Sequence, residues 1–349
     1  MNFEIGIFSL GEVAPDPATG SRPDNRQRLR DIIEQAEAAE HAGLAVMGVG
    51  ESHGSDVVAT SPVVLLSAIA GRTRLLRLTT AVSVLTVADP VQLYEQISML
   101  DNISAGRAEM IVGRGASEPV LRSLGMEGPD SDAIFERKLL QLLQVLERNP
   151  VTFDGALTPH VADLAIEPRP LQERLPVWVA CSGTVRSAVR AAELGLPLAL
   201  LRTHGPISDA VPLVEAYRQA LGESGRDTAT PVSLNVPGFV ARTAQQAREA
   251  TYPYFAGGTR SHGRIRSEDP PWTREEYEQE CEPGGSLVVG DVDEVVGKIV
   301  EQQRALGHQR LLLRMDAGGI PHHLTMEAIA LLGTEVVPRV RAALAPEIP

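Results

Sequence analysis

Short apolar runs alternate along the chain with longer segments in which apolar residues recur every three or four positions. Short runs of this kind are typical of buried strands, whereas the recurring spacing is typical of amphipathic helices. Eight runs predict strands, at 3–8, 44–49, 76–85, 107–113, 175–180, 196–201, 231–241 and 310–315. The segments that follow them predict helices at about 25–42, 61–73, 89–106, 135–147, 184–195, 207–225, 292–306 and 323–345.

Capping residues support these predicted helix boundaries. Asp24 precedes the first helix with Gln27 three residues later, which is the spacing of a capping box, and Gly43 follows the helix as its terminator. Asp89 precedes the third helix, and Pro90 occupies its first helical position. The alternation of strands and helices therefore rests on local stop and start signals as well as on hydropathy.

Eight strand–helix units in one chain without a break in composition predict a (β/α)8 TIM barrel, with a doubly wound parallel sheet as the alternative. We expect a single domain over residues 1–349. Residues 149–174 predict a short β-excursion before the fifth strand. Residues 257–286, bracketed by Gly-Gly pairs, predict a mobile lid over the carboxyl end of the barrel, where barrel active sites lie. An ordinary surface loop is the alternative for this second insertion.

Composition narrows the classes of partner. The 349 residues carry a formal net charge of −13, which argues against nucleic acid or an anionic membrane as the main partner. No apolar run approaches the ~20 residues of a spanning helix. The amino terminus lacks the basic region of a signal peptide. The two cysteines are far apart in sequence and predict neither a disulfide framework nor a zinc motif. We expect a cytoplasmic protein.

The segment Gly50-Glu51-Ser52-His53-Gly54 fits G-x-S-x-G, the nucleophile elbow of serine hydrolases. An elbow requires a helix to begin at once, but six residues separate this motif from the helix cap at Ser61. A serine hydrolase is therefore a remote hypothesis.

Metal chemistry has little support in the sequence. Glu51 and His53 alternate at a strand end and can face the same way. His322 and His323 are adjacent, and on a helix they face different directions. No H-E-x-x-H or comparable spacing is present, so we expect no metal site.

Two strand ends carry groups suited to a phosphate. Ser182, Gly183 and Thr184 follow the fifth strand and open a helix, whose free N–H groups and dipole favour an anion. Arg114, after Gly113 at the end of the fourth strand, can clamp a phosphate bidentately. A helix cap and a surface salt bridge are the alternatives. The small residues Thr79, Thr80 and Ala81 suit a flat ring lying against backbone, and they suit ordinary barrel packing equally well.

These residues together resemble the bacterial luciferase-like family of flavin-dependent oxidoreductases. Residues 79–115 carry the resemblance best, with an L-D-x-x-S-x-G-R signature formed by Leu100, Asp101, Ser104, Gly106 and Arg107. Further matches lie at 50–53, 151–155, 176–188 and 318–341.

The resemblance implies a barrel that binds FMN, delivered in its reduced form by a separate flavin reductase, and that uses O2 to oxygenate a small organic substrate. Gly113, Arg114 and the helix start at Ser182, Gly183 and Thr184 are expected to hold the cofactor, chiefly its phosphate. Ala81-Val82 is expected to form a non-proline cis peptide under the flavin ring.

The resemblance also gives roles to Glu51, Ser52 and His53. The family usually has Glu-His-His here, so Ser52 is interpreted as a substituted rim residue and not as a nucleophile. His53 is the candidate general acid or base, or a group that orients Glu51. This departure puts luciferase-type chemistry and an aldehyde substrate in question.

Other interpretations stay open. The same barrel serves hydride-transfer enzymes that use the deazaflavin F420, and a flavin-binding protein without turnover is a further possibility. A homodimer is expected through helices near 61–72 and 89–104. In the predicted lid, Arg260, His262, Arg264 and Arg266 suit an anionic substrate or the flavin phosphate, and equally a solvated basic loop.

Overall fold

The computed structural model describes residues 3–17, 19–115, 122, 131–154, 160–258 and 272–345. Its strands are β1 (Glu4–Ser9), β2 (Val46–Val49), β3 (Arg77–Val84), β4 (Ala108–Gly113), β5 (Val151–Phe153), β6 (Val161–Leu164), β7 (Val177–Cys181), β8 (Leu198–Leu201), β9 (Val232–Val240), β10 (Val288–Gly290) and β11 (Arg310–Arg314). Its α-helices are α1 (Asn25–His41), α2 (Pro62–Arg72), α3 (Pro90–Ser104), α4 (Ser131–Glu147), α5 (Val185–Glu193), α6 (Val211–Glu223), α7 (Ala244–Gly258), α8 (Arg274–Cys281), α9 (Val292–Leu306), α10 (His322–Leu331) and α11 (Val337–Ala343).

Eight strands close a parallel barrel in the order β1-β2-β3-β4-β7-β8-β9-β11, and β11 pairs back with β1. The predicted TIM barrel is confirmed, because a doubly wound sheet would leave two open edges. β10 extends the end of β9 outside the barrel, and β5 pairs with β6 as the antiparallel excursion predicted for residues 149–174. Among the described residues, no helix combines the length and the hydropathy that membrane crossing requires.

Two helix starts, those of α1 and α3, have the predicted caps, whereas Ser61 makes no side-chain cap bond to α2. Asp24 accepts a hydrogen bond from Gln27 N, and Asp89 accepts from the amides that follow Pro90. The predicted capping box at Asp24 is incomplete among the described residues, because the Gln27 side chain does not accept from Asp24 N. Its Nε2 donates to Asp31 Oδ1 at 2.8 Å. Sequence reasoning missed α7 and β10, a 3-10 turn at Ile207–Ala210 before α6, and a π-helical segment at Leu332–Val336 that divides the last predicted helix.

Side chains fill the barrel interior, beginning at its floor, which is the amino end of the strands. Arg310 forms an ion pair with the buried Glu109 and lies over the Trp178 ring, 4.5 Å from its centroid. Burial alone would raise the pKa of Glu109, but the guanidinium groups of Arg310 and Arg77 hold this pKa below its ordinary value. Above the floor, apolar side chains including Phe8 and Ile111 close the interior. The open end of the barrel is therefore the carboxyl end of the strands.

The L-D-x-x-S-x-G-R signature lies at the opposite, amino end of the strands. The buried Asp101 accepts hydrogen bonds from Ala108 N and from both the backbone and the side-chain amide of Gln172. Arg107 donates to carbonyls of Ala70, Thr73 and other residues at the α2–β3 connection. Residues at this end of a barrel serve stability, so the L-D-x-x-S-x-G-R signature is interpreted as structural.

Candidate functional site

A cavity of about 360 Å³ lies at the carboxyl ends of β4, β7 and β8. Its position and size are those of a small-molecule site in a barrel. Five of the predicted cofactor residues line it together: Val82, Gly113, Arg114, Ser182 and Thr184. The two other predicted cofactor residues are neighbours of the lining. Gly183 lies between Ser182 and Thr184 in an exposed loop, and the Ala81 side chain points into the barrel interior.

One end of the cavity lies between the end of β4 and the start of α5. Ser182, Gly183 and Thr184 are all exposed, and the Thr184 hydroxyl bonds with Ser187 Oγ at 2.7 Å and does not cap the helix. Thr184 therefore does not cap the first N–H groups of α5, and these groups can bind an anion. Arg114 faces the same cavity, 3.4 Å from Asp132, with 46% of its side chain exposed. Hydroxyls, helix N–H groups and a guanidinium converge here, which is the donor set that a phosphate requires.

Two further arginines line the cavity, and sequence reasoning missed both. Arg190 lies 5.7 Å from the Phe135 ring centroid and 3.4 Å from Glu136. Arg202 follows β8, and its buried Nε has no hydrogen-bond partner among the described residues. Arg190 was hidden in a regular amphipathic helix, whereas Arg202, directly after the predicted strand 196–201, carried the same strand-end signal as Arg114.

The backbone of Arg114 is held from the β3–α3 connection. The buried Thr86 hydroxyl donates to Arg114 O at 2.7 Å, and Leu85 N donates to Gly113 O at 2.9 Å. Lys138 Nζ in α4 donates in turn to the carbonyls of Thr86 and Ala88 at 2.7 and 2.8 Å. Burial lowers the pKa of Lys138, an effect that the charge of Asp89 partly offsets. This chain of hydrogen bonds fixes the backbone position from which the Arg114 side chain extends.

Small residues let the cavity approach the strand backbone. A Cβ added at Gly113 would lie 3.1 Å from Val82 Cγ2 and 3.3 Å from Ala180 Cβ. Any side chain here would enter the surface formed by Val82 and Ala180, both of which line the cavity. A flat apolar wall beside Arg114 and the start of α5 fits a phosphorylated ring cofactor such as a flavin.

The peptide bond between Ala81 and Val82 is cis, as expected. Glu51 holds this part of β3 from the end of β2: its N–H donates to Val82 O at 2.9 Å, and its Oε2 accepts from Val84 N at 2.8 Å. The predicted Glu51 and Val82 are thus directly linked. The position of this peptide relative to a flavin stays a prediction.

Comparison with known proteins identifies the family. Residues 3–309 match the family described as luciferase-like monooxygenases. The chain belongs to this family. A relative, the uncharacterized protein y4vJ of Sinorhizobium fredii, is 24% identical over 330 residues, or 90% of this chain and 93% of its own. The 4-hydroxyprotoasukamycin monooxygenase of Streptomyces nodosus subsp. asukaensis is 26% identical over 329 residues, or 89% of this chain and 87% of its own.

Solved structures share this luciferase-like barrel. The monooxygenase RslO1 from Streptomyces bottropensis superposes with a TM-score of 0.82 at 22% identity, covering 96% of this chain and 99% of its own. An oxygenating constituent of 3,6-diketocamphane monooxygenase from Pseudomonas putida, in complex with FMN, gives 0.74 at 18% identity, with 97% and 99% covered. The coenzyme F420 dependent tetrahydromethanopterin reductase of Methanopyrus kandleri gives 0.73 at 19% identity, with 97% and 100% covered. At these identities the likeness establishes the fold alone.

Within the luciferase-like barrel, Ser52 does not form a nucleophile elbow. β2 ends at Val49, α2 begins only at Pro62, and among the described residues none bonds to the Ser52 hydroxyl. His53 Nε2 lies instead 2.9 Å from Glu51 Oε1. The serine hydrolase hypothesis therefore has no supporting geometry. Glu51 and His53 form a hydrogen-bonded pair, but Glu51, Ser52 and His53 do not line the cavity, and the pair is linked to the lining residue Val82 through the Glu51 backbone.

The described part of the predicted lid contacts another wall of the cavity. Glu280 Oε1 in α8 accepts from Gly205 N at 2.6 Å, and Gly205 lines the cavity. Lys298 Nζ donates to the carbonyls of Glu280 and Glu282, and burial lowers its pKa to about 8. Residues 259–271, with Arg260, His262, Arg264 and Arg266, lie outside the described residues, so the mobile lid stays a prediction.

A buried charged network closes the seam between β1 and β11, and sequence reasoning missed it. Asp316 accepts from Arg28 and from the Ser9 hydroxyl. Glu12 accepts from Arg314 and from Gly318 N at 2.7 Å. These contacts fix the loops beside the barrel mouth where the first and last strands meet.

Proposed function

We propose that this protein is a flavin-dependent monooxygenase that binds FMN and oxygenates a small organic substrate with O2. The observation that carries the proposal is the cavity at the carboxyl ends of β4, β7 and β8. There Arg114 and the open start of α5 face one apolar wall, in a chain that belongs to the luciferase-like family.

Different residues would bind the phosphate and the ring system of FMN. Arg114 and the hydroxyls of Ser182 and Thr184 would hold the FMN phosphate, and the helix dipole of α5 adds to this attraction. Val82, Gly113 and Ala180 would carry the ring system against the strand ends. Ala81 would shape the wall from inside the barrel, and Gly183 lets the loop backbone approach the phosphate.

Bound reduced flavin supplies the electrons that activate O2, and we propose that a separate flavin reductase delivers it. We propose His53 as the group that donates or accepts a proton, and its hydrogen bond to Glu51 Oε1 supports a fixed orientation of the ring. Glu51 holds His53 through one oxygen and Val84 N through the other. Ser52 acts in this scheme as a rim residue that leaves space beside His53.

Hydride transfer with F420 is the second candidate function. The donor set of the cavity recognises a phosphate, and it does so whichever ring the phosphate carries. A flavin-binding protein without turnover is the third. Substrate-dependent NADH oxidation in the presence of an added flavin reductase distinguishes the first function from the third.

We also propose a homodimer. Three exposed large apolar side chains lie on the two helices predicted for the interface, Val64 on α2 and Met99 and Ile103 on α3. Leu75, Leu140, Leu164 and Leu171 are also exposed but lie outside those helices. An apolar patch of this kind favours burial against a second copy.

The deciding experiment is a titration of the purified protein with FMN, with reduced FMN under anaerobic conditions and with F420, followed by calorimetry. We expect Arg114→Ala to weaken FMN binding about ten- to a hundredfold, because a charge-assisted hydrogen bond is worth roughly 1.5–3 kcal/mol.

Arg339→Ala is the matched control for that titration. Arg339 is 48% exposed and pairs with Asp293, much as Arg114 pairs with Asp132, but it lies on α11 away from the cavity. Equal FMN affinity in the two variants would contradict the phosphate assignment. A clear preference for F420 would move the protein to the second function.

A further inference from the structure

We propose that Asp31, Glu34 and His322 form a binding site for a divalent transition-metal ion such as Zn²⁺, where α1 meets α10. None of the three residues lines the flavin cavity, so this site is independent of the proposed function. Sequence reasoning set His322 aside as one of two adjacent histidines that face different directions. The fold brings His322 against α1, 288 positions away from Glu34.

The three ligand atoms already lie close together. Each residue offers one atom, and all of these atoms lie within 4.8 Å of one another. His322 Nε2 is 3.1 Å from Glu34 Oε2. Ligands of tetrahedral zinc lie about 3.4 Å apart, given metal–ligand bonds of about 2.1 Å. Glu34 is half exposed, so rotation of its side chain supplies the remaining movement.

Asp31 supplies a second observation, which is independent of the contact between His322 and Glu34. It is only 8% exposed, and among the described residues its carboxylate accepts one hydrogen bond, from Gln27 Nε2 to Oδ1 at 2.8 Å. No described arginine, lysine or histidine forms an ion pair with Asp31; the neighbouring Arg28 is committed to Asp316. A buried carboxylate without a cation is costly, and a bound metal ion would neutralise it.

The surroundings of His322 suit a metal ligand. Gln35 lies 3.4 Å from His322 Nδ1 through its side-chain amide. With the amide oxygen turned toward it, Gln35 accepts the Nδ1 proton, which leaves the Nε2 lone pair directed at Asp31 and Glu34. One imidazole and two carboxylates form a ligand set that suits zinc and its neighbours better than calcium or magnesium.

The position of the site gives it a structural role. α1 follows the first barrel strand, and α10 follows the last. An ion held between these helices would join the two ends of the barrel beside the buried pair of Arg28 and Asp316. Binding would therefore stabilise the folded state over the unfolded chain.

The test is a titration of the metal-free full-length protein with Zn²⁺ in competition with a chromophoric chelator. We expect one tight site in the wild type and a rise in melting temperature when it fills. His322→Ala and Asp31→Asn should each lower the affinity at least about a hundredfold, and Gln35→Leu about tenfold.

His323→Ala is the matched control, because it removes the adjacent, exposed histidine from the same helix turn. It should bind Zn²⁺ as the wild type does. The proposal is overturned if the wild type takes up no ion at one equivalent, or if His323→Ala loses as much affinity as His322→Ala. It is equally overturned if His322→Ala lowers the melting temperature to the same extent with and without Zn²⁺.

Discussion

His308 shows how one buried polar side chain can make stability depend on pH. The ring is fully buried, neither nitrogen has a hydrogen-bond partner among the described residues, and Phe3 packs edge-on 5.3 Å away. Burial lowers the pKa of His308 from its ordinary value of 6.5 to about 3. The folded protein therefore keeps this ring neutral at pH values where the unfolded chain binds a proton.

We expect the free energy of unfolding to fall as the pH decreases from about 6.5 toward 3. In this range the unfolded state binds a proton at His308 and the folded state does not. The slope from this residue approaches about 1.4 kcal/mol per pH unit. Urea denaturation of wild type and His308→Leu across this range measures it, and the variant should show the flatter profile.

His41→Gln is the control for that series, since His41 is exposed and only contacts Glu37 O. Its profile should follow the wild type. Parallel profiles for wild type and His308→Leu would show that His308 is protonated in the folded state.

At the scale of elements, the connection between β3 and α3 positions Arg114, which we propose binds the cofactor phosphate. We expect Thr86→Val to weaken FMN binding about fivefold, because the hydroxyl that fixes Arg114 O is worth about 1 kcal/mol. Thr86→Ser keeps the hydroxyl and should restore the affinity. Calorimetric titration of both variants checks this, and equal affinities would remove Thr86 from the binding machinery.

The apolar face of α3 supports a prediction about assembly. Met99 and Ile103 lie one turn apart and are both exposed. We expect Met99→Lys combined with Ile103→Lys to convert a dimer into a monomer in sedimentation experiments, because two buried charges would oppose the contact.

Val185→Lys places the same charge on an exposed apolar residue of α5, away from this face, and should leave the dimer intact. A monomeric wild type, or a double variant that still dimerises, would contradict the proposed interface.

At the scale of the molecule, we expect the amino end of the barrel to contribute to stability and the carboxyl end to cofactor binding. Asp101, at the amino end of the strands, should matter for stability and not for FMN. We expect Asp101→Ala to lower the free energy of unfolding by about 2–3 kcal/mol, because it leaves buried amides without an acceptor.

The FMN affinity of the folded Asp101→Ala variant should equal that of the wild type. Asp227→Ala, which removes an exposed aspartate that accepts from Ala229 N, is the stability control. Weaker FMN binding in folded Asp101→Ala would show that the two ends of the barrel are coupled.

The sequence alone predicted the barrel because its elements are marked locally. Asp89 and Pro90 start α3 as expected, and the eight apolar runs became the eight barrel strands. β10 was missed because three residues carry almost no periodic signal, and its pairing with β9 is a tertiary event. The π-helical segment at Leu332–Val336 likewise has no signature of its own in the hydropathy pattern.

The site was predictable only where residues follow a strand in a recognisable motif. Arg114 and Ser182 were found this way, and both line the cavity. Thr86 acts through a single long-range hydrogen bond, so no local pattern marks it. The same holds for Asp31 and His322, which no spacing rule connects across most of the chain.

The pairing of β1 with β11 also means that the barrel can close only after the last strand has been synthesised. Glu12 and Arg314, which meet at the seam between these strands, are 302 positions apart in the chain. At a ribosomal rate of roughly 5–20 residues per second, about 15–60 seconds separate their synthesis. Throughout that interval the free edge of β1 is unpaired and able to join another strand. The nascent chain is therefore exposed to aggregation until its last strand emerges, and chaperone protection matters most in that period.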